Sequence, residues 1–296
     1  MAQLSGILPA LVTPFDAKWR FNAGACEQLL DRLYAAGVVG VYVCGTTGEG
    51  MLQTVEERKQ VAEFALRVSP ADRQVVVHVG AACLTEAVEL ARHAADHGAA
   101  AVSSLPPAGP YSFEDVKNYY RILAEATDLP LIVYHMPAGG TVSLSTIPQL
   151  LELCAIPNVV GLKFTDQDMY KLSELKRNGV LIFNGYDEVL CAGLLMGADG
   201  GIGSFYNVAP HLFLRVWEDA RHGRWSEARQ TQLRINELVT MTLRFPLISG
   251  LKTILGWSGI DCGQVRGPRR DLTSDEANQL RRMIAAAGLE AELGIG

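Results

Sequence analysis

The chain has no surplus of basic residues: 26 lysines and arginines face 32 aspartates and glutamates, for a net charge of −6. Nucleic acid and anionic membrane both require a basic surface, so neither is expected as the main partner. Long apolar runs are also missing. The longest interior stretches, such as residues 189–198, stop near ten residues, about half of a membrane span. The opening MAQLSGILPALVTPFD carries no basic n-region and is interrupted by Pro9 and Pro14, so it does not read as a secretory signal. Cysteine is sparse and scattered (Cys26, Cys44, Cys83, Cys154, Cys191 and Cys262), with no C-x-x-C pair and no metal-type spacing. That excludes a disulfide framework and points to a reducing cytoplasm. Apolar side chain, by contrast, is plentiful. Hydrophobic residues make up 49% of 296 and charged ones 20%, which rules out a disordered chain. At roughly 150 residues per domain, the length allows two domains or one large barrel.

Short β-branched runs alternate with helical patterns. The strand candidates are residues 7–12, 40–43, 75–79, 101–105, 131–134, 159–163, 181–184 and 200–203. Their starts lie roughly 20 to 35 residues apart, the length of a strand plus a crossover helix. Between strands two and three, Val61, Ala65 and Val68 line one helical face, and Thr54 with Glu57 forms a capping box at its start. Thr85 is expected to start the next helix and Gly98 to follow its end. Eight such units exceed what an open doubly wound sheet usually uses and fit an α/β fold of the closed (β/α)8 TIM barrel type. From Trp225 onward the strand pattern stops. Helices are expected over 225–243, after Pro246, and from Thr273. The expected organisation is a catalytic barrel over residues 1–224 with a C-terminal helical extension, 225–296, packed on it.

In such a barrel the active site lies at the C-terminal ends of the strands. Polar residues ending apolar strands are therefore the candidates: Thr46 and Thr47 after strand two, Tyr134 ending strand five, Lys163 ending strand six, Asp187 and Glu188 after strand seven, and Ser204 after strand eight. In Val-Val-Gly-Leu-Lys-Phe a lone ammonium ends a strand expected to be buried on both faces. Desolvation lowers a lysine's pKa, and a neutral amine attacks ketones to give a Schiff base. Alone, Lys163 fits equally a lysine that snorkels to solvent. Tyr134 next door suits a proton relay but also a core tyrosine. The loop Gly45-Thr46-Thr47-Gly48-Glu49-Gly50 can aim N–H groups at a small carboxylate. It is not a phosphate-binding P-loop, because no G-K-[ST] follows.

Other features read as structural. His93 and His97 have the i, i+4 spacing of a zinc pair but no intervening H-E-x-x-H glutamate, and read as solvated helix residues. Lys252 falls in the helical extension, away from the expected mouth. Arg266, Arg269 and Arg270 read as a solvated turn. No signal for metal, nicotinamide or flavin cofactors emerges.

Taken together, Pro9-Ala-Leu-Val-Thr-Pro-Phe, Gly45-Thr-Thr-Gly-Glu, Tyr134-His-Met-Pro, Gly161-Leu-Lys-Phe-Thr and Gly197-Ala-Asp-Gly-Gly-Ile-Gly-Ser make the chain resemble, over essentially its whole length, the dihydrodipicolinate synthase / N-acetylneuraminate lyase family of pyruvate-dependent class I aldolases. The resemblance implies that Lys163 forms an imine with the keto carbon of pyruvate. It further implies that Tyr134 relays protons and that Thr46 and Thr47 hold the pyruvate carboxylate. It implies no cofactor, and a homo-oligomer, commonly a tetramer.

The branch depends on the aldehyde half of the site. Dihydrodipicolinate synthases usually carry an arginine two residues after Tyr-x-x-Pro, which pairs with a substrate carboxylate. Here Tyr134-His-Met-Pro-Ala-Gly139-Gly140 places glycine there, and glycine cannot replace a guanidinium fork. Thr165, Phe183-Asn-Gly185-Tyr-Asp187-Glu188 and Ser204-Phe-Tyr-Asn resemble the lyase pattern, with donors and acceptors suited to sugar hydroxyls. The expected reaction is cleavage of N-acetylneuraminate to N-acetylmannosamine and pyruvate. Alternatives are an aldolase or dehydratase of another 2-keto-3-deoxy sugar acid, 4-hydroxy-tetrahydrodipicolinate synthesis, or a 2-keto-acid-binding barrel without turnover. Two positions depart from the family. His135 stands where bacterial members commonly have asparagine. Ala108 and Gly109 occupy the places of two tyrosines, one of which reaches a neighbouring subunit's site in the family, with Tyr111 beyond Pro110 the candidate to replace it.

Overall fold

The computed structural model describes residues 4–137 and 146–296. Eight parallel strands, β1 Gly6–Pro9, β2 Gly40–Val43, β3 Gln74–His78, β4 Ala101–Ser104, β5 Leu131–His135, β6 Val159–Phe164, β7 Leu181–Asn184 and β8 Gly200–Gly203, pair in the order β1-β8-β7-β6-β5-β4-β3-β2. The seam between β1 and β2 carries a single parallel bridge, Ala10 to Tyr42. Asn207 fastens the same rim: its amide donates to the Ala10 carbonyl at 2.7 Å and its oxygen accepts from Val12 N at 3.1 Å.

Helices follow each strand: α1 Ala23–Ala36, α2 Val55–Val68, α3 Leu84–Asp96, α4 Phe113–Glu125, α5 Ile147–Cys154, α6 Met169–Arg177, α7 Leu190–Leu195 and α8 Pro210–Arg221. The Thr54–Glu57 capping box forms as expected, with Thr54 as N-cap of α2. On α3 the expected start is corrected: Cys83 is the N-cap and Thr85 lies inside the first turn, because the helix begins at Leu84. Gly98 follows α3 in the left-handed region, at φ +80°.

Period-2 alternation splits the apolar side chains into two cores. Leu8, Ala10, Tyr42, Val76, Ala101, Ile132, Phe183 and Ile202 fill the barrel. Ile7, Val41, Val43, Val75, Val77, Val102, Val133, Leu162 and Ile182 pack outward against the helices. Strands buried on both faces read as continuous apolar runs, which is why they were visible in the sequence.

Four helices complete the chain: α9 Trp225–Thr242, α10 Leu247–Trp257, α11 Ser274–Ala286 and α12 Glu290–Leu293. Thr273 caps α11 through a capping box with Glu276. Among the described residues no single helix is long and apolar enough to cross a membrane, and all six cysteines are free thiols.

Candidate active site

The register of the β5–β6 pair sets the centre of the site. Tyr134 and Lys163 are directly paired residues in adjacent strands, so both side chains point into the barrel side by side. Lys163 Nζ lies 3.9 Å from the centroid of the Tyr134 ring and 4.5 Å from that of Tyr42. Among the described residues no carboxylate comes within ion-pair distance of it. The lysine is 4% exposed. Its nitrogen lies over two aromatic faces, a setting that attracts the positive charge of the iminium formed in the reaction.

Around this amine is a cavity of about 210 Å³. All nine residues singled out from the sequence line it: Lys163, Tyr134, Thr46, Thr47, Thr165, Gly185, Asp187, Glu188 and Ser204. Thr47 and Ser204 bridge the mouth through their hydroxyls at 2.7 Å. In the Gly45–Gly50 loop, Glu49 N donates to the Thr46 carbonyl and Gly50 N to the Gly45 carbonyl. The N–H groups of Thr46 and Thr47 take no partner among the described residues, which leaves them free for an anion. Thr13 Oγ1 and Gln53 Nε2 both donate to Gly48 O at 2.7 Å and hold the loop down.

Asp187 is the most perturbed acid in the cavity. Its Oδ2 accepts from the N–H groups of Ser204 and Phe205 at 3.0 and 3.1 Å, while Oδ1 is buried without a partner. Burial, reinforced by the neighbouring Glu188, outweighs those two bonds and pushes the carboxyl up to about 7. Near neutrality it can therefore either donate or accept at Oδ1. Thr165 Oγ1 is likewise buried and without a partner among the described residues. Two glycines make the room. A Cβ at Gly185 would sit 2.0 Å from Thr165 Oγ1, and one at Gly203 would sit 1.7 Å from Asp187 Oδ1.

Several wall residues were not anticipated. Met136 accepts from the Tyr134 hydroxyl at 3.4 Å through its sulfur. Val239, Leu243, Leu247 and Ile248, from α9, α10 and the turn between them, roof the cavity. Behind that wall the rings of His78 and Tyr42 each lie 6.2 to 6.4 Å from Tyr134. Tyr42 donates to Ser103 at 3.1 Å. Burial, then the charges of Arg58 and Lys163, holds His78 well below the ordinary imidazole range. Period-2 spacing within Gln-Val-Val-Val-His was a usable signal for His78, which ends β3 facing inward.

Other expectations change. Lys252 is structural, as read, but not remote. Its Nζ lies 2.9 Å from Glu49 Oε1, immediately behind the Gly45–Gly50 loop, and donates to the Gln264 carbonyl at 2.8 Å. The arginine turn is not solvated as a unit. Arg266 clamps Glu57 with contacts of 2.6 and 2.8 Å and stacks over Phe15, and Arg269 reaches Glu49 at 3.4 Å. Arg270 is exposed and pairs with Glu276. Partners distant in sequence drew these side chains inward. Tyr111 is 42% exposed and lies outside this chain's own cavity, a placement compatible with a reach toward a neighbouring subunit. Gly139 and Gly140 lie outside the described residues. His135 is buried against Phe164, with Nε2 3.0 Å from Asp166 Oδ2, to which Lys171 also donates at 2.7 Å. Burial raises Asp166, but the bonds from Lys171 and His135 prevail and hold it at about 2.

Residues 3–287 match the dihydrodipicolinate synthetase family. The N-acetylneuraminate lyase of Rhizobium meliloti (strain 1021) is 36% identical over 286 residues, spanning 96% of this chain and 95% of that protein. Among solved structures, CdNal from Clostridium difficile in complex with mannosamine superposes with a TM-score of 0.93 at 30% identity, covering 97% of this chain and all of the other. A prophage protein of the dihydrodipicolinic acid synthase family from E. coli K12, in complex with pyruvate, gives 0.90 at 25% identity, covering 97% of this chain and 100% of that one. With a match over nearly its whole length and a barrel of the same shape, the chain belongs to the dihydrodipicolinate synthetase family.

Proposed function

We propose that the protein is a pyruvate-dependent carbon–carbon lyase that cleaves N-acetylneuraminate to N-acetylmannosamine and pyruvate through a Schiff base on Lys163. The observation that carries this reading is a buried amine, without a carboxylate partner among the described residues, set against Tyr134 in a cavity lined by hydroxyls and two acids. The similarity to a curated lyase over 96% of the chain supports the choice of substrate.

Lys163 attacks the C2 ketone of the open-chain sugar acid, and loss of water leaves a protonated imine. The N–H groups and hydroxyls of Thr46 and Thr47 hold the carboxylate at C1. The C4 hydroxyl gives up its proton through Tyr134, the C3–C4 bond breaks, and its electron pair moves into the imine to form an enamine. N-acetylmannosamine departs. The enamine is protonated at C3, and water releases pyruvate and the free amine. Splitting one carbon–carbon cleavage into imine and enamine steps is what covalent catalysis supplies. Thr165, Asp187, Glu188 and Ser204 face the polyhydroxylated portion, with Gly185 leaving room for it. A sugar hydroxyl donates and accepts at once, which suits Asp187 Oδ1 and Thr165 Oγ1, two polar atoms lacking partners among the described residues.

In this reading residues 1–224 are the catalytic unit and 225–296 an extension that closes it. The chain works as a homo-oligomer, a tetramer by its resemblance, which sedimentation tests. Six free thiols support a reducing cytoplasm.

Intact mass after borohydride treatment tests the proposal, with pyruvate and with N-acetylneuraminate separately, on wild type and Lys163→Ala. The expected result is the same pyruvate adduct from both ligands, lost in the variant. An adduct from pyruvate alone would transfer the activity to another sugar acid. None from either, or one retained by Lys163→Ala, would overturn the Schiff-base assignment.

A further inference from the structure

On the outer wall of the barrel, α2 and α3 bring three metal-type donors together. Glu63 stands on α2, and His93 and His97 stand one turn apart at the end of α3. His93 Nε2 lies 2.8 Å and His97 Nε2 3.6 Å from the same oxygen, Glu63 Oε1. All three donor atoms fall within 4.8 Å of one another. The two imidazoles lie 4.3 Å apart, tilted by 34°. Spacing within α3 alone predicted solvated histidines. Glu63, thirty residues earlier, completes the set, and the His93 side chain is only 13% exposed.

The tautomer of His97 is what makes the cluster more than a surface hydrogen bond. Its Nδ1 lies 2.8 Å from the His93 carbonyl. A carbonyl only accepts, so Nδ1 carries the proton and donates. In a neutral imidazole Nε2 then presents a lone pair, and it faces a carboxylate oxygen. Two acceptors facing each other repel unless a cation or a proton stands between them. A ring N–H donated to a backbone carbonyl is also the arrangement that orients histidines bound to metals. Zinc bonds of roughly 2.0 to 2.2 Å in a tetrahedron place donors about 3.4 Å apart. That value lies inside the observed span, so small side-chain rotations suffice. His93 would shift its proton to Nδ1 and release its bond to Glu63.

We propose that Glu63, His93 and His97 form a binding site for a divalent transition-metal ion of the zinc type, which pins α2 to α3 and leaves the fourth position to solvent. An imidazole-rich donor set of this kind selects zinc, nickel or copper over magnesium or calcium. Arg67 adds a repelling charge near Glu63 and limits the affinity. None of the three ligands lines the catalytic cavity, so occupancy is expected to leave turnover unchanged.

The test is zinc titration by calorimetry of the full, tag-free chain after chelator treatment. The panel is wild type, His93→Ala, His97→Ala and Glu63→Gln, with circular dichroism melts run with and without zinc. The expected result is one zinc per wild-type chain and a higher melting temperature with the ion, as linkage requires. Each variant should bind at least tenfold more weakly while melting like wild type without metal and retaining its aldolase rate. A wild-type chain that binds no zinc would overturn the site. So would zinc bound equally well by all three variants, which would locate the ion elsewhere, for instance at the exposed Cys83 thiol.

Discussion

Thr47 Oγ1 and Ser204 Oγ meet at 2.7 Å across the barrel seam, joining the loop after β2 to the loop after β8 and leaving β1 between them. Either hydroxyl can donate, and with Ser204 donating to Thr47 the Thr47 hydroxyl keeps its own proton for the pyruvate carboxylate. Thr47→Val keeps the side-chain shape and removes the donor. A hydrogen bond to a charged group contributes about 1.5 to 3 kcal/mol. We therefore expect kcat/KM to fall by roughly ten- to a hundredfold, chiefly through KM. Steady-state kinetics check this; an unchanged KM would remove Thr47 from the carboxylate site.

Tyr134 should separate the two halves of the reaction. In Tyr134→Phe the ring that supports Lys163 Nζ at 3.9 Å remains, while the proton relay is gone. Borohydride should still trap pyruvate on Lys163, whereas cleavage of the sugar acid should slow by roughly 10² to 10⁴, the usual worth of general acid–base catalysis. Near-normal cleavage by this variant would rule out the relay.

Asp187 predicts an unusual pH dependence of stability. In the folded chain its carboxyl keeps a proton up to about pH 7, raised from the ordinary 3.8. Between those values the folded form binds more protons than the unfolded one, so this group makes stability fall as pH rises from about 4 to about 7. Asp187→Asn mimics the protonated acid and removes that slope. Urea melts of both proteins at pH 4 and pH 8 should show the variant gaining on wild type at the higher pH. A constant difference between them would refute the raised carboxyl.

Lys252 and Glu49 form a buried pair whose side chains are 3% and 0% exposed. Lys252→Met leaves Glu49 without its nearest cation, a change that costs about 3 to 5 kcal/mol at buried sites. The backbone N–H of Arg266 at 2.8 Å and the more distant Arg269 still compensate in part, so the low end is expected. Adding Glu49→Gln should restore most of the loss, because no uncompensated charge is then buried. Chemical denaturation of the single and double variants measures both effects, and equal destabilisation by the two would show that the pair does not act as a unit.

What was legible in the sequence was whatever repeats locally. Strands such as Gly40–Val43, Leu181–Asn184 and Gly200–Gly203 announce themselves because both faces are buried and the run is bounded by turns. Strand ends then lead to Lys163, Tyr134 and Asp187. Contacts between distant segments leave no such trace. Nothing near Arg266 indicates that Glu57 waits more than two hundred residues away, and no periodicity says that Leu243 and Leu247 cover a lysine on β6. Tyr42 carries no such mark, because a tyrosine inside a short apolar strand looks like core. It is core, and it is also the surface on which the amine rests.

The roof of the cavity comes from α9, α10 and the turn between them, whereas Lys163, Tyr134 and the threonine loop come from the barrel. Part of the wall that faces the substrate is therefore written in a stretch of the chain apart from the reacting amine. Mutations around residues 239–248 can reshape the far end of the cavity without touching the amine, so a lineage can change its diet while keeping its chemistry. For the engineer, a library confined to that short stretch should yield variants whose failures are failures of fit, with the pyruvate adduct still forming in each.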